Sequence, residues 1–108
     1  MSDILISLKP KFADLIYQRK KNVELRKNRP RDLEVGDKVY VYETSPEQRI
    51  TGYFTVKYVK KRSTDEIVGN YILGTSEDDY WEYVGDRDSI IIIGIKAAAN
   101  IAARPATE

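Results

Sequence analysis

The sequence predicts an α+β fold, a small closed or nearly closed β-barrel of about five to six strands with two or three short helices. Three observations predict it. Several segments alternate apolar and polar residues, or are rich in β-branched and aromatic side chains, as half-buried strands are. The main helix signals fall in two places, after the first apolar run and before the last. The segments joining the central strands are too short for the crossover helices that a doubly wound parallel sheet requires.

Ile4 to Leu8 is an apolar run closed by Lys9-Pro10, which reads as a buried strand. Pro10 suits the first turn of a helix, where its missing N–H is not needed. Phe12, Leu15 and Ile16, extended by Tyr17, make the apolar face of a short helix over 11–19. The cluster Arg19-Lys20-Lys21 then meets the negative pole of that helix. Asn22 to Arg26 alternates cleanly, Val23 and Leu25 against Asn22, Glu24 and Arg26, so it is a strand with a polar face. Residues 28–37, with Pro30 and Gly36-Asp37, form a loop. Val39 to Tyr42 is a strand, and Ile50 to Val59 a longer one with Phe54, Val56 and Tyr58 on one face and Tyr53, Thr55 and Lys57 on the other. Ser63 with Glu66 caps a short helix. Thr75 or Ser76 starts another, which runs through Trp81, its core anchor, and Tyr83 to a stop at Gly85. Ser89 to Ile95 is a thoroughly apolar final strand, and Ala97 to Glu108 is a weak helix or a frayed end. Residues 1–96 thus form a single domain and 97–108 a small-residue tail. The expected core draws on Ile4 to Leu8, Val23, Leu25, Val39, Val41, Phe54, Val56 and Ile90 to Ile93.

A chain of 108 residues has room for one core. Its hydrophobic fraction of 42% beside 32% charged residues is that of a folded soluble protein. The absence of Cys and His excludes a disulfide framework, a thiolate nucleophile, a Ser-His-Asp relay and zinc sites of the Cys or His kinds. No cofactor is expected, and any chemistry must use Lys, Asp, Glu, Tyr, Ser or Thr. Asp3 stands where a signal peptide carries bases, and the run Ile90 to Ile93, broken by Gly94, is far too short to span a membrane. The expectation is a cytoplasmic protein with no membrane partner.

The net charge of +1 hides a strong asymmetry. From Lys9 to Arg31, nine bases face two acids, a local balance of +7, and Lys57, Lys60, Lys61 and Arg62 add a second cluster. Between Asp65 and Asp88 lie eight acids and one base. Unless the fold interleaves these regions, the molecule is a strong dipole. Its basic face is either a footprint for a phosphate-bearing ligand or simply a well-solvated surface.

The stretch ISLKPKFADLIYQRKKNVELRKNRP, followed by GDKVYVYETSP and ITGYFTV, resembles the ASCH domain, a PUA-like family of small barrels. The family hallmark is a Gly, a Lys two residues on and an Arg five further, between the first helix and the second strand. Lys21 and Arg26 match it, with Glu24-Leu25 in the usual context, while Arg19 stands at the Gly position and Asn22 at a polar position that is often Thr. Tyr83-Val84-Gly85 before an apolar strand is similar to the family's closing motif. The resemblance spans Ile4 to Ile95. It implies a PUA-like barrel that binds RNA or a nucleotide in a cleft lined by the Lys and Arg. It also implies an alternative, because some bacterial members are amidohydrolases acting on acetylcytidine and ribonuclease activity has been attributed to others.

Two functions from different classes follow. As an RNA- or nucleotide-binding module, the chain would use Lys9, Arg19, Lys20, Lys21, Arg26 and Arg29 as one positive surface continuous with the cleft, with Tyr42, Thr44 and Ser45 beside it. Tyr40 and Tyr42 share a strand face with Tyr53 on the next strand, so they either stack on bases or pack in the core. Thr44-Ser45-Pro46 closes the third strand and either contacts a ligand or only makes the turn. As a small hydrolase, the chain would use Lys21 and Glu24 as catalytic groups, Lys21 being freed as a base or nucleophile if the barrel mouth desolvates it. Otherwise Lys21 is a phosphate contact or a surface lysine paired with Glu24, and Arg26 a fork for phosphate or for a carboxylate of the fold. A buried Lys21 close to a second acid favours the enzyme, and an open basic groove favours the binder.

Overall fold

The computed structural model describes residues 4–102. The elements are β1 (Ile4–Leu8), α1 (Pro10–Tyr17), β2 (Val23–Arg26), β3 (Lys38–Glu43), β4 (Arg49–Ser63), a 3-10 turn (Thr64–Glu66), α2 (Glu77–Val84) and β5 (Ser89–Asn100). One curled sheet of order β1-β3-β4-β5-β2 makes a half-barrel, an α+β arrangement in which β1 lies parallel to β3 and every other pair is antiparallel. β1 and β2 are the two open edges. Among the described residues, no helix is long and apolar enough to cross a membrane.

The sheet is buried on one face throughout and on the other only in part. Ile6, Leu8, Val39, Val41, Phe54, Val56 and Ile93 pack with Ala13 and Ile16 of α1 in one cluster. Ile90 and Ile92 point the opposite way, into a second cluster with Val23, Ile67, Leu73 and the α2 residues Tyr80 and Val84. The unbroken isoleucine run therefore reflects a strand covered on both sides, where no polar alternation is needed. Helix ends follow the sequence signals: Pro10 sits in the first turn of α1, the Ser76 hydroxyl accepts from Asp79 N to start α2, and Gly85 caps its end.

Four elements differ from expectation. β1 is not buried along its length: Ile6 and Leu8 face the core, whereas Leu5, expected there too, is 57% exposed because the strand alternates at an edge of the sheet. A register shift between Val56 and Tyr58 takes Tyr58 off the Phe54–Val56 face and packs it against the second cluster. Trp81 is 38% exposed, and Tyr80, which is 1% exposed and donates its hydroxyl to Thr64 O, is the anchor of α2. β5 does not end at Ile95. It continues to Asn100, pairing Ala99 with Tyr53 and Asn100 with Gly52. Gly52 permits this, because a Cβ there would lie 2.1 Å from Ala99 O and 2.6 Å from the Tyr17 hydroxyl. The remainder of the expected tail, 103–108, lies outside the described residues.

Candidate nucleotide-binding cleft

Alternation along β2 sorts its side chains by chemistry. Val23 and Leu25 belong to the second cluster, so Glu24 and Arg26, in register with Ile93 and Ile91, turn to the opposite side of the strand. There they meet a cleft of about 570 Å³ lying between the two open edges of the sheet. Ser7, Leu8 and Lys9 form one wall with Lys11 and Phe12 of α1, and Lys21 and Glu24 to Lys27 form the next. Asp79, Tyr80, Glu82 and Tyr83 of α2, with Thr75, complete it.

Lys21 and Glu24 are 5% and 6% exposed, which is rare for charged residues without partners. Lys21 Nζ donates to Leu73 O at 2.7 Å and lies 3.9 Å from Glu24 Oε1. Arg26 Nη2 reaches Glu24 Oε2 at 2.9 Å, so the carboxylate sits between two cations. Burial pushes the Lys21 ammonium below its ordinary pKa of 10.5, with Glu24 pulling it back and Arg26 adding to the fall. Burial likewise pushes the Glu24 carboxyl above its ordinary 4.5, opposed by Lys21 and Arg26. Burial thus disfavours the charged form of both groups, and each charge in turn favours the other. Arg26 Nε is buried with no hydrogen-bond partner among the described residues.

A neighbouring loop holds Lys21 in place. Asn22 N donates to Ile72 O and Asn22 Oδ1 accepts from Ile72 N, both at 3.1 Å. This bridge sets the next carbonyl, that of Leu73, against Lys21. Gly74, at φ 71°, then turns the chain so closely over Lys21 that a Cβ would come within 3.1 Å of the lysine Cβ. Arg19, at the family's glycine position, has φ 61°, so the left-handed turn leading to Lys21 is kept by a residue that adopts it at a cost.

Of the residues singled out from sequence, Lys9, Lys21, Glu24 and Arg26 line the cleft. Arg19 and Lys20 are exposed on the turn after α1, outside the lining. Arg29 donates to Leu33 O in the β2–β3 loop. Tyr42 pairs in register with Ser7 and Ile50 and is outside the lining. Thr44 and Ser45 lie in the β3–β4 turn, where Thr44 N donates to Leu8 O and the Ser45-Pro46 peptide is cis. Sequence reading did not find Leu73, which acts through a backbone carbonyl and carries no side-chain signal. It set Phe12 on the apolar face of the first helix but not at the cleft, where its ring lies 5.0 Å from Lys11 Nζ and 5.6 Å from Lys21 Nζ. Tyr83 was found only through its resemblance to the closing motif, and it lines the cleft while its hydroxyl donates to Leu25 O.

The family model of the ASCH domain matches residues 6–84. An ASCH protein from Zymomonas mobilis superposes with TM-score 0.83 at 22% identity, covering 92% of this chain and 73% of that one. A tyrosine-to-phenylalanine mutant of the Zymomonas protein gives TM-score 0.82 at 20% identity over 94% of this chain and 77% of that one. The hypothetical protein PH0355 gives TM-score 0.62 at 19% identity, covering 88% and 98% of the two chains. Among curated proteins no sequence matches.

Proposed function

This chain belongs to the ASCH domain family, which is associated with RNA binding, and from that premise we propose that its cleft binds a phosphate-bearing nucleotide, free or within an RNA strand. The observation that carries this reading is the Arg26 guanidinium, which lines the cleft with Nη2 held by Glu24 and its buried Nε without a hydrogen-bond partner among the described residues. The Arg26 side chain is 31% exposed at the cleft, so its guanidinium can meet an anionic oxygen there while Lys9, Lys11 and Lys27 supply further positive charge. The aromatic faces of Phe12 and Tyr83 give a base somewhere to stack. A cleft of about 570 Å³ lies in the range of small-ligand sites and suits one nucleotide.

Titration with cytidine monophosphate tests the reading. Arg26→Ala weakens binding by about tenfold or more, since it removes a charged hydrogen-bond donor. Unchanged affinity in Arg26→Ala, or no binding by the wild type at low salt, rejects it.

A second reading has its own observation. Lys21 is buried and desolvated beside Glu24, with Asp79 and Glu82 lining the same cleft, which is the setting that frees a lysine as base or nucleophile. It corresponds to a hydrolase acting on an acetylated cytidine or on RNA. In that case Lys21→Arg destroys turnover as completely as Lys21→Ala, because a guanidinium stays protonated. In the binding reading Lys21→Arg keeps most of the affinity and Lys21→Ala lowers it by on the order of 1 kcal/mol. The binding outcome is expected, because Lys21 Nζ is already held by Leu73 O as a fixed donor rather than left free to attack.

A further inference from the structure

The face of the sheet that α2 covers over β5 and β2 continues over β1, β3 and the first half of β4, where no described helix lies on it. Its side chains fall into rows fixed by the register. Leu5, Tyr40 and Tyr53 align across β1, β3 and β4, with Tyr42 in the row beside them. On the other side of this aromatic row, Lys38, Thr55 and Lys96 align across β3, β4 and β5. Tyr40 and Tyr53 meet edge to face with centroids 6.0 Å apart, and Lys38 Nζ lies 4.5 Å from the Tyr53 ring centroid. Lys38 and Lys96 are exposed, the three tyrosines are half-buried, and Leu5 is 57% exposed. No Asp or Glu occupies these rows.

We infer that this face is a second nucleic-acid surface, a platform on which single-stranded RNA lays successive bases on Tyr40, Tyr42 and Tyr53 while Lys38 and Lys96 follow its phosphates. Charge decides the occupant. An apolar patch meant for a second copy of the chain or for another protein has no counterpart for the exposed Lys38 and Lys96 along it, neither of which forms an ion pair among the described residues, whereas a strand of bases and phosphates offers a counterpart to both rows. Stacking tolerates any base, so this surface adds affinity for strand length rather than for sequence. None of Tyr40, Tyr42, Tyr53, Lys38 and Lys96 lines the cleft, which lies between the sheet edges and by the reading above takes a single nucleotide.

Binding of an oligouridine of about nine nucleotides, a length within the usual span of such platforms, separates the two surfaces when measured beside cytidine monophosphate. The double substitution Lys38→Glu, Lys96→Glu changes exposed residues only. It is expected to weaken oligouridine binding at least tenfold and to lower the log–log salt slope by about 1.4, or about 0.7 for each lost phosphate contact. Cytidine monophosphate binding stays as in the wild type. Tyr40→Leu, which keeps apolar bulk in the sheet and removes the ring, weakens oligouridine binding about tenfold at an unchanged salt slope. If the wild type binds no mononucleotide yet its oligouridine affinity depends on the two lysines, the cleft reading fails and the platform stands. Oligouridine affinity and salt slope that are unaltered in the lysine variant overturn the platform. So does sedimentation of the wild type as a dimer that Tyr40→Leu dissociates, because the face is then covered by a second copy.

Discussion

At the scale of single residues, the two departures from the family pattern have separate explanations. Arg19 keeps φ 61° where a glycine would adopt it freely, so the backbone leading to Lys21 is retained and the penalty is energetic. Arg19→Gly is accordingly expected to stabilise the protein by about 1 kcal/mol in chemical denaturation, without moving the cleft. Asn22 spends its side chain on Ile72 N, a structural use that no hydroxyl chemistry requires. The raised pKa of Glu24 has a consequence for stability. Just above pH 4.5 the folded state still holds the Glu24 proton that the unfolded chain has released, so the contribution of Glu24 is fully present below that pH and falls as pH rises through the folded value. Denaturation curves of the wild type and of Glu24→Gln compared across this window should show a decline with pH that the variant lacks. Lys21, Glu24 and Arg26 were legible in the sequence because their chemistry lies in their side chains. Leu73 was not, because a carbonyl has no residue type.

At the scale of elements, alternation and capping residues were enough to place β1, β2, β3 and both helices, since each is set by its own sequence. The errors arose where a neighbour decides. The flip of Tyr58 comes from a bulge that β4 acquires only by pairing with β5, and Ala97 to Asn100 is strand only because Gly52 leaves room for Ala99 O. Gly52→Ala therefore tests the extension, and it is expected to cost about 1–3 kcal/mol, read as a lower denaturation midpoint. The acidic helix points to Trp81 as its core anchor, yet α2 turns Tyr80 inward, where its hydroxyl finds Thr64 O. Ser76→Ala removes the cap of this short helix and is expected to cost about 1 kcal/mol, with a smaller loss of nucleotide affinity because Tyr80 and Tyr83 ride on it.

At the scale of the whole molecule, the fold interleaves charges that the sequence keeps apart. The basic segment supplies Lys9, Lys11, Arg26 and Lys27 to one side of the cleft, and the acidic segment supplies Asp79 and Glu82 to the other. The cleft is polar in the sense of having two poles, so an anion enters against a local repulsion. Asp79→Asn with Glu82→Gln is expected to tighten cytidine monophosphate binding several-fold at low salt, an effect that shrinks as the screening length falls to about 8 Å near physiological ionic strength. The order β1-β3-β4-β5-β2 also imposes a schedule on biosynthesis. Lys21, Glu24 and Arg26 are translated early, but the short strand that bears them has its sheet partners at Ile91 to Gly94, near the far end of the described chain. Until those residues leave the ribosome, β2 has no ladder to join and the buried charges have no enclosure. The nascent protein therefore has its cleft only once Ile91 to Gly94 have emerged, and a chain interrupted before Ile91 carries every cleft residue without having a cleft.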